Sequence, residues 1–77
     1  MELVVALVNR NYDLGKITSR YAGYPVLVAG KVEVPSRIFE HIKSGNSIIV
    51  YDPKDSFDYE PYMKYALKCG KEVEDIG

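Results

Sequence analysis

The chain has 77 residues, of which 47% are hydrophobic and 27% charged, and its net charge is −1. That describes one globular domain, too apolar for a disordered chain and too weakly charged to draw in nucleic acid by bulk electrostatics. A single cysteine, Cys69, and a single histidine, His41, exclude an intrachain disulfide and a Cys/His zinc cluster.

A core of this size supplies only ~3–5 kcal/mol unaided. With disulfides and zinc excluded, self-association becomes the expected source of extra stability, and a homodimer is the expected state. The longest apolar run, Leu3 to Val8, is far short of the about 20 residues that cross a membrane, so no membrane association is expected. The opening Met-Glu-Leu-Val-Val has no basic n-region or small-residue cleavage site. Together with a free thiol, this predicts a cytoplasmic location. Gln and Trp are absent and Glu and Lys plentiful, a composition that leans toward thermophiles. Charge is unevenly spread. Residues 1–45 hold six Lys/Arg against four Asp/Glu, and residues 46–77 hold four against seven. Head-to-tail association is one use for such a dipole.

In chain order, Leu3-Val4-Val5-Ala6-Leu7-Val8 reads as a strand covered on both faces, because it is β-branched and apolar at successive positions. Asp13 to Gly23 reads as a helix, with Asp13 as N-cap, Leu14, Ile17 and Tyr21 on one face and Gly23 at the left-handed end. Gly15, Thr18 and Ser19 weaken it, and an ordered loop is the alternative. Pro25 opens a second strand, Val26 to Ala29. Gly30-Lys31 is then either a hairpin turn into an antiparallel Val32–Val34 or a loop to the next helix. That helix starts near Pro35, with Ser36 as a possible cap. Ile38, Phe39 and Ile42 form its stripe, and Gly45 ends it. Ser47 to Tyr51 is a further buried strand, stopped by Asp52-Pro53. A last helix from Phe57 or Asp58 to Cys69 keeps Pro61 in its first turn and points Tyr62, Tyr65, Ala66 and Cys69 inward. Lys71 to Ile76 reads as an edge strand blunted by glutamates.

Strands alternating with helices predict an α/β fold over residues 1–77. It would be a small, mostly parallel or mixed sheet of four strands with two or three packed helices. The alternative is an α+β mixed sheet in which Val26–Val34 is a hairpin. One stretch partly resembles a known family. Val34-Pro35-Ser36-Arg37-Ile38, then Ile42, Gly45-Asn46 and Ile48-Ile49-Val50, is similar to the strand–Pro–helix–Gly–strand unit of AbrB-type swapped-hairpin transcription factors. Here Pro35 to Gly45 is shorter than in that unit, and Gly45-Asn46 stands for Gly-Asp. The resemblance implies a dimeric DNA-binding regulator. The chain is not assigned to that family on so short a match.

Three groups of residues are candidates for function. If the strong strands are parallel, their C-terminal ends share one edge, where open α/β sheets bind ligands. Asn9, Arg10, Asn11, Gly30, Lys31, Asp52 and Lys54 fall there. The cations could neutralise an anionic small molecule such as a nucleotide, Gly30 could admit it closely, and Asp52 could accept from a sugar hydroxyl. No GxGxxG or P-loop pattern supports this. Asp52, Asp55, Asp58 and Glu60 form an acidic group without EF-hand spacing, better explained by a helix start than by a metal. Seven tyrosines are many for this length. Tyr12, Tyr21, Tyr24, Tyr59 and Tyr62 are candidate interface residues, since tyrosine buries a ring while keeping a polar handle. His41 has no nucleophile at a recognisable spacing and reads as a solvated helix residue. Cys69 reads as a small core residue.

No catalytic residue, metal site or cofactor is specified. The expected function is binding, as a small assembly or protein-interaction domain. A binder of an anionic small molecule is the alternative, and a nucleic-acid-binding regulator ranks third.

Overall fold

A computed structural model describes residues 2–77. Four strands, β1 (Leu3–Leu7), β2 (Val26–Val28), β3 (Ser47–Tyr51) and β4 (Glu72–Asp75), alternate with three helices, α1 (Gly15–Arg20), α2 (Pro35–Lys43) and α3 (Glu60–Lys68). The strands form one sheet in the order β2-β1-β3-β4, and every pair is parallel. This is the α/β class that the alternating pattern predicts.

The β1 run is apolar at every position, and β3 at all but Ser47, whose hydroxyl donates to the Ile42 carbonyl, because both of their faces are covered. Val4, Ala6 and Val8 meet Ile48, Val50, Val28 and α1's Ile17 on one side. Val5 and Leu7 meet Ile49, Ile38, Ile42 and Ala66 of α2 and α3 on the other. The chain moves one way along the sheet from β1 to β2, then back across β1 to β3 and on to β4. Right-handed crossovers then place α1 on one face and α2 with α3 on the other.

The hairpin alternative is overturned. Ala29–Lys31 forms a 3₁₀ turn, Val32–Val34 is not a strand, and β2 pairs in parallel with β1. The swapped-hairpin unit implied by the family resemblance is likewise absent from the described residues, since Pro35–Lys43 crosses between parallel strands. Residues 13–23 do contain a helix, but only Gly15–Arg20. Gly15, Thr18 and Ser19 limit its length. Asp13 is not its N-cap, which is Leu14 without a side-chain cap; the Asp13 carboxylate instead accepts the Gly15 amide at 3.0 Å in a turn ahead of the helix, and Gly23 has a φ of 85° in the turn that follows. In α2, Pro35 takes the first turn and Ser36 does not cap; the cap position is Val34. α3 begins at Glu60, not at Phe57 or Asp58. Cys69 is a further correction. It caps the C-terminus of α3 and is exposed rather than a core residue, because this end of the helix stands clear of the core, with Leu67, Lys68 and Gly70 exposed around it.

Candidate functional site

A parallel sheet whose order reverses between β1 and β3 gathers its strand C-termini at one end, with a natural crevice at the reversal. Asn9, Gly30 and Asp52 do come together there, yet their polar groups bind the protein itself. Tyr12 Oη donates to Asp52 Oδ2 at 2.6 Å, and the Lys54 amide donates to Asp52 Oδ1 at 2.9 Å. Asp55 accepts from the Asn9 backbone amide at 2.9 Å and from Asn9 Nδ2 at 3.2 Å. Asn9 Nδ2 also donates to Ser56 Oγ at 2.8 Å. The loops after β1 and β3 are thereby tied across the crevice.

Asp52 is 5% exposed. The Tyr12 hydroxyl and the Lys54 amide favour its ionised form and hold its carboxyl below the usual aspartate value. Burial and the adjoining Asp52 push the Tyr12 phenol up to about 12. Gly30 admits backbone rather than a ligand. A Cβ there would fall 2.6 Å from the Asn9 carbonyl carbon and 2.7 Å from the Val8 oxygen, which accepts the Gly30 amide at 2.9 Å. Arg10, Asn11, Lys31 and Lys54 remain exposed around this closed end. Among the described residues no buried side-chain nitrogen or oxygen lacks a partner, and no group of three His, Cys, Asp or Glu could hold a metal ion.

The candidate interface tyrosines divide. Tyr12 and Tyr21 pack against the α1-side core, and Tyr21 Oη donates to Glu74, which also pairs with Arg20. Burial and Glu74 push the Tyr21 phenol up to about 12. Tyr59 stacks on Tyr51 with centroids 4.7 Å apart, and Tyr62 meets Phe39 at 4.7 Å and Phe57 at 5.8 Å. These four are half-buried. Tyr24 alone is well exposed, at 41%.

The two sheet edges differ most. β4 carries Glu72, Glu74 and Asp75 along its four residues, which protects it against pairing with a like edge. β2 is Val26-Leu27-Val28 and carries no charge. The Val4 amide donates to the Pro25 carbonyl, and Val4 is in register with Val26. In a parallel ladder, Pro25 and Leu27 therefore turn their backbone groups toward β1 and Val26 turns its own outward. Beside this edge a groove of about 430 Å³ is lined by Leu27, Val32 and Val34 with Lys31, Glu33, Arg37 and His41. Val34 is 48% exposed. The one ion pair among the described residues is Arg20–Glu74, so Lys31 and Arg37 are not held in an ion pair with Glu33 and leave the groove one net positive charge. Val34, Arg37 and His41 escape sequence reasoning as site residues, because the edge they flank exists only once strand order is known.

Comparison with protein families, with characterised proteins and with solved structures gives no match to this chain.

Proposed function

We propose that this chain is a protein-interaction and assembly domain whose β2 edge takes up a strand from another polypeptide, in the first instance a second copy of itself. The observation that carries this reading is the contrast between the edges: β4 is lined with acids, whereas β2 is uncharged, has outward backbone groups, and is flanked by exposed Tyr24 and Val34. Strand addition uses such an edge, with main-chain hydrogen bonds giving affinity and neighbouring pockets giving selectivity. The small core gives an energetic motive. Exposed Cys69 suits a reducing compartment such as the cytoplasm.

Sedimentation equilibrium over about a hundredfold range of concentration tests the reading, since mass action makes association concentration-dependent. Mean mass should rise with concentration, and the double variant Tyr24→Lys, Val34→Lys should shift the rise to at least about tenfold higher concentration. A monomer of 8.7 kDa throughout would refute it.

A second reading is favoured by Lys31 and Arg37, two cations of the groove that make no ion pair. They would hold the phosphate or carboxylate of a small molecule whose apolar part lies on Leu27 and Val34. Inorganic phosphate or a nucleotide should then raise the melting temperature, and Lys31→Ala or Arg37→Ala should abolish the rise.

A further inference from the structure

We infer that the strand β2 accepts is β4 of a second copy, so that the sheet continues head to tail with β2 of one protomer parallel to β4 of the next. This rests on the assembly reading above and names its partner segment. Both edges have backbone to offer. The Ile76 amide donates to the Tyr51 carbonyl while Tyr51 is in register with Asp75. Glu74 and Ile76 therefore turn their backbone groups toward β3, and Val73 and Asp75 turn theirs outward. Val26 does the same on β2.

Side chains match in the same way. Leu27 and Val73 both pack on the α2/α3 side of the sheet, and Asp75, two residues beyond Val73, shares that face. Continuing the sheet keeps this face continuous. It brings Val73 toward Leu27 and Val34, and Asp75 toward Lys31 and Arg37 of the groove. Glu72 and Asp75 are the exposed acids of β4, while Glu74 is engaged by Arg20 and Tyr21.

Like-edge pairings are electrostatically opposed. A β4–β4 contact faces Glu72 and Asp75 with their own copies. A β2–β2 contact brings two copies of the Lys31, Arg37 and Glu33 groove together, each with one net positive charge. Like charges across an interface disfavour the wrong partner, and opposite charges select the right one. Because the contact joins different surfaces of identical chains, it does not close at a dimer; it continues as a filament or closes as a ring.

The test uses four single variants of the full chain, two at each edge. Val26→Pro and Val73→Pro each remove an outward amide from one edge, a position where strands tolerate proline. The pair Arg37→Glu and Asp75→Lys attacks the same two edges through exposed charges. Circular dichroism melts establish that each variant is folded. The unmodified chain should exceed twice 8.7 kDa without reaching a plateau at the dimer, and should return toward monomer in high salt. Each variant alone should be monomeric. An equimolar mixture of one β2-edge and one β4-edge variant should form a one-to-one dimer, each supplying the edge the other lacks. A Val73→Pro or Asp75→Lys chain that still dimerises by itself would overturn head-to-tail pairing and leave the β2 edge as an isologous interface. An unmodified chain that stays monomeric would overturn the assembly reading as well.

Discussion

One face of the sheet lies under α1, a helix of six residues; the other lies under α2 and α3, with nine residues each. The long helices cover their face with apolar and aromatic mass. Phe39, Tyr62 and Tyr65 pack edge to face or tilted, and Ile38, Ile42 and Ala66 are buried beneath. The short helix contributes one fully buried side chain, Ile17. The rest of that face is held by the half-buried rings of Tyr12 and Tyr21, whose hydroxyls are anchored on Asp52 and Glu74. Where the covering element is short, polar anchors position the rings that complete the core. Such a face is sensitive to pH and to single-atom deletions in a way that an aliphatic face is not.

The largest expected effect is from Ile17→Ala. Burial of this kind is worth about 2–5 kcal/mol, depending on how well the site collapses. Ile17→Ala should fall at the upper end and Ile42→Ala lower, because the aromatic side chains around Ile42 can relax into the space. Urea unfolding of both variants checks the order; equal losses would erase the distinction between the faces.

Next comes Tyr12→Phe. It leaves a nearly buried carboxylate short of a donor, which costs about 1–3 kcal/mol. The same substitution should flatten the pH dependence. Asp52 is held below its ordinary value in the folded state, so its contribution is full above that value and drains away as pH falls through the lower folded one. At the alkaline end, the Tyr12 and Tyr21 phenols stand at about 12 against an ordinary 10.0. Their contribution is full below pH 10 and lost between there and pH 12. Absorbance titration of the phenols should show Tyr12 and Tyr21 titrating late, with Tyr65 also raised by burial, and one late tyrosine fewer in Tyr12→Phe.

Arg20→Ala should cost less than about 1 kcal/mol, as exposed ion pairs do. The Tyr21 hydroxyl is the main group holding the Glu74 carboxyl below its ordinary value, with Arg20 adding to it, so the stability that Glu74 loses as pH falls should largely persist in Arg20→Ala. Smallest is Cys69→Ser, within about 0.5 kcal/mol of the unmodified chain. A loss of several times that in thermal melts would mean the thiol is packed rather than exposed.

Much of the architecture was legible because β1 and β3 are apolar runs rich in β-branched residues and Gly23, Gly45 and Gly70 mark where chain direction changes with positive φ. The misreadings have local causes. Val32-Glu33-Val34 alternates like a strand but lies between the 3₁₀ turn and α2. Cys69 has helical spacing from Tyr62 and Tyr65, but it caps α3 where that end of the helix stands clear of the core. The strand-end cluster was only half legible. The β-strand pattern places Asn9, Gly30 and Asp52 at one end of a parallel sheet. It does not reveal that Tyr12 and Asp52, 40 residues apart, or Asn9 and Asp55, 46 apart, engage one another. Nor does it reveal which strand is left at an edge, since that follows from the order β2-β1-β3-β4.

The uniformly parallel sheet also bears on how the chain reaches its native state. Val4 pairs with Val26, Ile48 with Glu72 and Leu3 with Ser47, separations of 22, 24 and 44 residues. No two strands can meet as a hairpin, so each pairing must close a long loop before it yields any contact. Central β1 has to collect partners from both later parts of the chain. Refolding should therefore be slow for a domain of this length, nearer the milliseconds-to-seconds regime of non-local topologies than the microseconds of small helical bundles. During that interval β1 and β3, two of the most apolar segments in the chain, stand unpaired.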